Sequence, residues 1–322
     1  MNNSLSEIAE ILLGSEKAVL YPHENMDGDA LGSCVALALA LRQKGKNALI
    51  LIDEKITSDL AFMNCGLITR DFDEAKDADL SVLVDAGDIE RIGARGEVFL
   101  TGKESLCIDH HRTSAPFCRY NLIDPDAAAA GLLVFDVIKA LGAEGTPEMG
   151  NALFAAITTD TGKFQYSNTD KRTHLVTAEL YDWGMDHLFV SNEIYENNRP
   201  ERMRIESMAI LAASFYAGGR LAMTFVTREM LKASGADMSE TDVIIPKLRS
   251  IRGVEVAAVL KEEEPDKIKV SLRSKNSFDV SSVAQAEGGG GHSRAAGFTL
   301  RMTMDEAFDK TKNAILSRLE AN

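Results

Sequence analysis

Residues 18–33 read AVLYPHENMDGDALGS. An apolar run, Ala18–Tyr21, breaks into a turn that carries His23, Asp27 and Asp29, and an apolar segment rich in small residues follows from Leu31 to Lys44. The run has the length of one buried strand, and the segment after it suits a buried helix. Gly28 frees the turn to aim Asp27 and Asp29 in different directions. Strand, polar turn and helix in that order begin an α/β unit. In an open parallel sheet the carboxyl end of such a strand faces the ligand crevice.

The same arrangement returns further along. Ala48–Ile52 is a second apolar run, LSVLV (80–84) is followed by Asp85, and SLCI (105–108) by Asp109, His110 and His111. Leu132–Leu141 and Glu148–Thr158 read as helices, and ALFAAITT (152–159) delivers a fourth acid, Asp160. Short continuous apolar runs alternating with helical patterns predict a parallel sheet buried on both faces. From Asp186 to Ala213 the pattern is helical and rich in charge, with Pro200 suited to a first helical turn. Beyond Gly218–Gly219, Leu221–Val226, Val254–Leu260 and Lys267–Leu272 read as strands. Thr303–Leu319 reads as a helix capped by Thr303, with Glu306 three residues on. The expected architecture is α/β: a doubly wound parallel sheet over 1–185, a helical connector over 186–215, and a smaller α/β domain over 216–322.

With 35 basic and 49 acidic residues among 322, the net charge is −14. Such a chain repels long polyanions, which argues against a protein that wraps long DNA or RNA; a small phosphate substrate needs local neutralisation. The cysteines Cys34, Cys65, Cys107 and Cys118 form no C-x-x-C pair and read as free thiols of a reducing compartment. MNNSLSEIAEILLGSEK lacks a basic leader, and Leu31–Leu41 is too short to span a bilayer. A cytoplasmic protein without membrane contact is expected, and a homodimer is compatible with the sequence.

His23, Asp27, Asp29, Asp85, His110 and Asp160 are thus expected to converge. Carboxylate and imidazole without thiolate suit Mn²⁺, Mg²⁺, Zn²⁺ or Fe²⁺ and argue against a structural zinc site. If one carboxylate bridges, the six can hold two ions about 3.5–4 Å apart, an arrangement suited to in-line displacement at phosphorus. Each piece has a plainer reading: an Asp at a strand end is often only a helix N-cap, and a lone His is more often structural. Their joint recurrence favours the metal reading. His174 and His187 read as ordinary packing residues, and Asp53, Asp71, Asp73, Asp77 and Asp79 as solvated charges.

HENMDGDALGS (23–33), DAGD (85–88), DHH (109–111) and TDTGKF (159–164) together resemble the DHH phosphoesterase superfamily. Arg273-Ser274 and GGGGHSRAAGF (288–298) resemble its DHH-associated C-terminal domain. Met26 and Ala86 depart from the usual Pro and Thr without removing a ligand. The resemblance implies that His23, Asp27 and Asp85 hold one metal and that Asp29, Asp85, His110 and Asp160 hold the other, with Asp85 bridging. Mn²⁺ is the expected ion, with Mg²⁺ or Co²⁺ as substitutes. Asp109 would orient a histidine, and His111 would face the scissile phosphate. In the glycine run, successive N–H groups can form an anion nest. The resemblance assigns substrate binding to Arg273, Ser274, Gly289, Gly290, Gly291 and His292. It implies hydrolysis of short oligoribonucleotides or dinucleotides to mononucleotides, and of 3′-phosphoadenosine-5′-phosphate to AMP, as in nanoRNase-like members. A cyclic or linear diadenylate phosphodiesterase and a non-catalytic nucleotide-binding regulator stay open as alternatives.

Overall fold

The four central runs of the N-terminal half are almost wholly apolar, Ser81 and Ser105 excepted, because each strand is covered on both faces. In the computed structural model, which describes residues 2–319 apart from the His292 side chain, they form β1 (Lys17–Tyr21), β2 (Asn47–Leu51), β4 (Leu80–Val84) and β5 (Glu104–Asp109). Leu20, Ile50, Val82 and Leu106 enter one core with the helices, whereas Val19, Leu51 and Leu83 enter a second with Ile92, Val98 and Phe99. Alternate residues facing opposite sides is the period-two geometry of a strand.

Two edge strands complete this sheet: β3 (Ile68–Thr69) and β6 (Tyr120–Ile123). The order is β3-β2-β1-β4-β5-β6, with every pairing parallel. The order reverses at β1/β4, so the carboxyl ends of β1 and β4 form the switch point where doubly wound sheets bind ligands. The helices of this half are α1 (Leu5–Gly14), α2 (Gly28–Gln43), α3 (Phe72–Ala75), α4 (Gly96–Phe99), α5 (Ala130–Ala140), α6 (Pro147–Asp160), α7 (Lys171–Asp182) and α8 (His187–Ser191), the last running into a π-helical turn, Asn192–Glu196. α2 and α6 approach so closely that a β-carbon at Gly32 would collide with the carbonyl of Ala152. A β-carbon at Gly28 would likewise overlap the Thr159 side chain, so the start of α2, with its acids, lies against the end of α6, which carries Asp160.

The chain divides into two compact units, Met1–Asn197 and Asn198–Asn322. The division falls inside the stretch expected as a connector, whose second half forms α9 (Pro200–Leu211) with Pro200 in its first turn. The second unit holds a six-stranded sheet ordered β11-β12-β10-β9-β8-β7. Its strands are β7 (Ser214–Tyr216), β8 (Leu221–Val226), β9 (Val256–Glu264), β10 (Lys267–Ser274), β11 (Gly290–His292) and β12 (Ala295–Arg301). β8 and β9 are parallel, and the other pairings are antiparallel. Its helices are α9, α10 (Arg228–Ser234), α11 (Ile244–Ser250), α12 (Val280–Ala286) and α13 (Met304–Leu319). Val256, Ala258 and Leu260 pack with Ala307 and Ile315 of α13; Ala257 and Val259 pack with Ile205 of α9 and Ile244 and Leu248 of α11. The Thr303 hydroxyl and Glu306 carboxylate exchange bonds with each other's backbone N–H, the expected capping box.

Candidate metal centre

Each expected ligand of the first unit stands where an element ends. His23 follows β1 by two residues, Asp85 directly follows β4, Asp109 closes β5 ahead of His110 and His111, and Asp160 closes α6. Asp27 is the N-cap of α2: its Oδ1 accepts from the N–H groups of Asp29 and Ala30, both at 3.0 Å. The plain capping reading and the ligand reading therefore apply to the same residue, because a carboxylate retains a second oxygen. Asp85 adopts φ +56°, a left-handed conformation uncommon for a residue with a side chain and a form of strain found at functional sites.

The side chains converge. His23 Nε2 lies 3.7 Å from Asp27 Oδ1 and 3.6 Å from Asp85 Oδ2. His110 Nε2 lies 3.3 Å from Asp85 Oδ1, 3.6 Å from Asp29 Oδ2 and 3.7 Å from Asp160 Oδ2. Three groups, His23–Asp27–Asp85, Asp29–His110–Asp160 and Asp85–His110–His111, each have donor atoms within 4.8 Å of one another. Both outer imidazoles are fixed through the opposite nitrogen. His23 Nδ1 meets the Glu24 carbonyl at 2.8 Å, and His110 Nδ1 meets the Ala127 carbonyl at 3.0 Å. An Nδ1–H donated to each carbonyl leaves the Nε2 lone pair for a cation.

Asp29 and Asp85 are buried, at 0% and 2% exposure. Burial, reinforced by the charges of Asp85 and Asp160, pushes the Asp29 carboxyl well above the usual carboxylate range. Burial likewise raises Asp85, and it lifts Asp160 to about 6 against the pull of His110. His110 rises to about 10 despite its burial, held by Asp85, Asp29 and Asp160. Asp85 Oδ1 is buried without a hydrogen-bond partner, although His110 lies within ion-pair range. Acids driven toward protonation, an orphaned buried oxygen and two imidazoles aimed inward are the donor set that a divalent cation satisfies.

Sequence reasoning did not find several supports. The Asp29 carboxylate accepts the N–H groups of Ala130 (2.7 Å) and Gly131 (2.9 Å), the first turn of α5, and the Ser33 hydroxyl (3.0 Å). α5 has no side-chain cap of its own, so Asp29 serves in that place from a hundred residues away. Asp109 is fully buried; its Oδ1 holds His111 Nδ1 at 2.7 Å, and its Oδ2 accepts from Ser114. A β-carbon at Gly87 would overlap Ser114, so the glycine of DAGD admits this contact. Asp53 is not simply a solvated charge: it lies 3.0 Å from Nε of Arg95, which is 1% exposed. Asp79 accepts from the N–H of Lys17 at 3.0 Å, and Asp71 caps α3, because both stand beside unpaired backbone donors. His174 stacks on Phe164.

The substrate-binding candidates Arg273, Ser274, Gly289, Gly290, Gly291 and His292 lie in the second unit. Ser274 is buried, with its hydroxyl 2.7 Å from the Phe278 carbonyl. The glycine run does not form the expected anion nest. The N–H of Gly288 bonds to Gln285 and that of Gly289 to Ala284, closing α12, while Gly290 and Gly291 pair with β12. Two of the glycines are needed for packing instead, since a β-carbon at Gly289 would strike Gly297 and Phe298 and one at Gly291 would strike Ala295 and Ala296. The side chain of His292 lies outside the described residues.

Residues 17–161 match the DHH family N-terminal domain, and residues 219–321 match the DHHA1 domain. The chain is 29% identical over 319 residues to the bifunctional oligoribonuclease and PAP phosphatase NrnA of Thermus thermophilus, covering 97% of this chain and 93% of that one. It is 25% identical to the Bacillus subtilis protein of the same name, covering 90% of each. An exopolyphosphatase-related protein of Bacteroides fragilis superposes with a TM-score of 0.91 at 23% identity, over 97% of this chain and 95% of that one, a likeness of fold. The chain belongs to the DHH family of phosphoesterases, a hydrolase whose DHH domain is followed by a DHHA1 domain.

Proposed function

We propose that this enzyme hydrolyses short oligoribonucleotides and dinucleotides to mononucleotides, and 3′-phosphoadenosine-5′-phosphate to AMP, using two divalent metals. The observation that carries this reading is the position of Asp85. It is buried, left-handed in φ, and shared by two of the three donor groups. His23, Asp27 and Asp85 would hold one ion, and Asp29, Asp85, His110 and Asp160 the other. When bound, such a pair of ions makes water acidic enough to act as a nucleophile and offsets charge on the phosphoryl oxygens. Mn²⁺ is the ion we favour. The names of the Thermus and Bacillus relatives support the substrate class.

Asp109, gripped by Ser114, fixes the His111 ring through Nδ1. The opposite nitrogen is left to face the substrate, where the imidazolium form would donate to a phosphate oxygen or to the departing oxygen. In the second unit, Arg273 and His292 would hold a nucleotide, with Gly289, Gly290 and Gly291 shaping the adjoining strand. Ser274 would support that loop from beneath. The net charge of −14 works against long strands, in keeping with short substrates and a cytoplasmic setting. Among the described residues no helix is long and apolar enough to cross a membrane.

Turnover with Mn²⁺ across diribonucleotides, 3′-phosphoadenosine-5′-phosphate, cyclic diadenylate and RNA of several tens of nucleotides tests this. The reading requires the first two to be preferred. Preference for the cyclic dinucleotide or for long RNA would overturn it.

A further inference from the structure

A cavity of about 880 Å³ opens in the first unit, lined by Phe164, Lys163, Tyr195, Asn192, Glu193 and Glu196 among others. In sequence it adjoins the candidate metal centre. Thr158, on its wall, meets the Tyr195 hydroxyl at 3.3 Å and stands two residues before Asp160 on α6. Lys163 and Phe164, immediately after α6, both hold φ near +62°. Two consecutive side-chain-bearing residues in that region mark a backbone kept against its preference, as binding sites do. The opposite wall is the π-helical turn Asn192–Glu196, a helix irregularity frequent at functional sites.

The chemistry of the walls is specific. Phe164, stacked on one face by His174, and Tyr195 line the cavity with aromatic surface. The Lys163 ammonium sits 4.0 Å from the centroid of the Tyr195 ring and has no carboxylate partner among the described residues. Glu193 and Glu196 supply acceptor oxygens, and Asn192 an amide. One cation and two carboxylates give the wall a net negative charge, which disfavours a further phosphate and suits a neutral group bearing hydroxyls. Aromatic surface takes a nucleobase by stacking, and a carboxylate takes ribose hydroxyls, as at other nucleotide sites. Lys163, the residue of this set nearest Asp160 in the chain, is left for the phosphate that joins the nucleoside to the rest of the substrate.

We infer that this cavity is a nucleoside subsite: it takes one ribonucleoside of the substrate, with its base against Phe164 and Tyr195 and its ribose hydroxyls on Glu193 or Glu196. The inference rests on the proposed hydrolysis of short ribonucleotides for its biological sense. Its test is separate from activity.

The full chain, with metal removed by chelation, is irradiated with 8-azidoadenosine, and the labelled peptides are mapped by mass spectrometry. Label within 158–166 or 189–198 that excess adenosine suppresses is the expected result. Label confined to other segments, or insensitive to adenosine, overturns the subsite whether or not the enzyme cleaves dinucleotides. In parallel, Tyr195→Leu, Lys163→Gln and Glu196→Gln are compared by the ratio of kcat/KM for a diribonucleotide to that for bis-p-nitrophenyl phosphate. The ratio should fall about fivefold or more for Tyr195→Leu, the loss of one base stack, with the change mostly in KM. Lys163→Gln and Glu196→Gln alter exposed positions and give the same reading if Tyr195→Leu folds poorly. An unchanged ratio in all three variants overturns the subsite.

Discussion

Replacing Arg95 by methionine tests how the metal centre is braced from beneath. Arg95 is 1% exposed, and its Nη1 donates to the carbonyl of Pro22 at 2.9 Å and to that of Leu51 at 3.0 Å. Its Nε stands 3.0 Å from Asp53 Oδ1 as an ion pair without hydrogen-bond alignment. One guanidinium thus ties the ends of β1 and β2 together, one residue ahead of His23. Methionine keeps much of the volume but leaves two carbonyls and a carboxylate without their cation. Breaking a buried pair costs about 3–5 kcal/mol. Asp53 retains 28% side-chain exposure, so water recovers part of the loss and the low end, about 3 kcal/mol, applies. For a unit of about 200 residues that lowers Tm by roughly 6–12 °C. Because the carbonyl of Pro22 loses its anchor, affinity for the metal that His23 is proposed to hold should also fall, by about tenfold. Thermal melts of Arg95→Met, Asp53→Asn and the double variant, with metal titration of each, supply the assay. The double variant should lose less than the sum of the single losses. Strict additivity, or a Tm shift below about 2 °C in Arg95→Met, would refute the bracing argument.

Three further outcomes follow from the site. His111→Ala should keep its metal content and lose about 10²–10⁴-fold in kcat; loss of a metal would make His111 a ligand instead. Ser114→Ala should lower kcat about tenfold with little change in KM for a diribonucleotide, since Ser114 only steadies Asp109; unaltered kcat would remove Ser114 from the support of His111. Mn²⁺ should raise the Tm of chelated protein more at pH 8 than at pH 5. The Asp160 carboxyl is lifted from 3.8 to about 6 by burial, so without metal it destabilises the fold increasingly as pH rises through that range. His110, lifted from 6.5 to about 10 by Asp85, Asp29 and Asp160 against its burial, stabilises the metal-free fold at low pH and loses that effect as pH rises. Both slopes run the same way, and scanning calorimetry at the two pH values would expose a metal effect that is flat or reversed.

The parallel sheet was legible because burial on both faces writes itself as short, mostly apolar runs without polar alternation: LSVLV is β4 residue for residue, with Ser81 its one polar member. The candidate ligands were legible because each stands close to the end of such a run or of a helix: Asp85 directly follows β4, His23 follows β1 by two residues, Asp27 and Asp29 flank the start of α2, and Asp160 closes α6. β3 has only two residues, and β6 alternates in burial as an edge strand, so neither leaves a strong local pattern. β11 is built on glycine, which reads as loop; only its pairing with β12 makes it a strand. The supports of the site were hidden for a different reason. Asp29 capping α5, Ser114 on Asp109 and Arg95 beside Asp53 each join residues that no periodicity links. Asp53 looked like a solvated charge because its partner stands 42 positions away in the chain.

Metal stoichiometry in Asp85→Ala tests the central claim most directly, because one carboxylate is held to serve two ions. Wild-type protein equilibrated with Mn²⁺ should carry two ions per chain, and Asp27→Ala should lose mainly one. Asp85→Ala should lose occupancy at both positions and all phosphodiester hydrolysis, with a circular dichroism spectrum like that of the wild type. Two fully occupied positions in Asp85→Ala, or a wild-type chain that never binds more than one ion, would contradict the account.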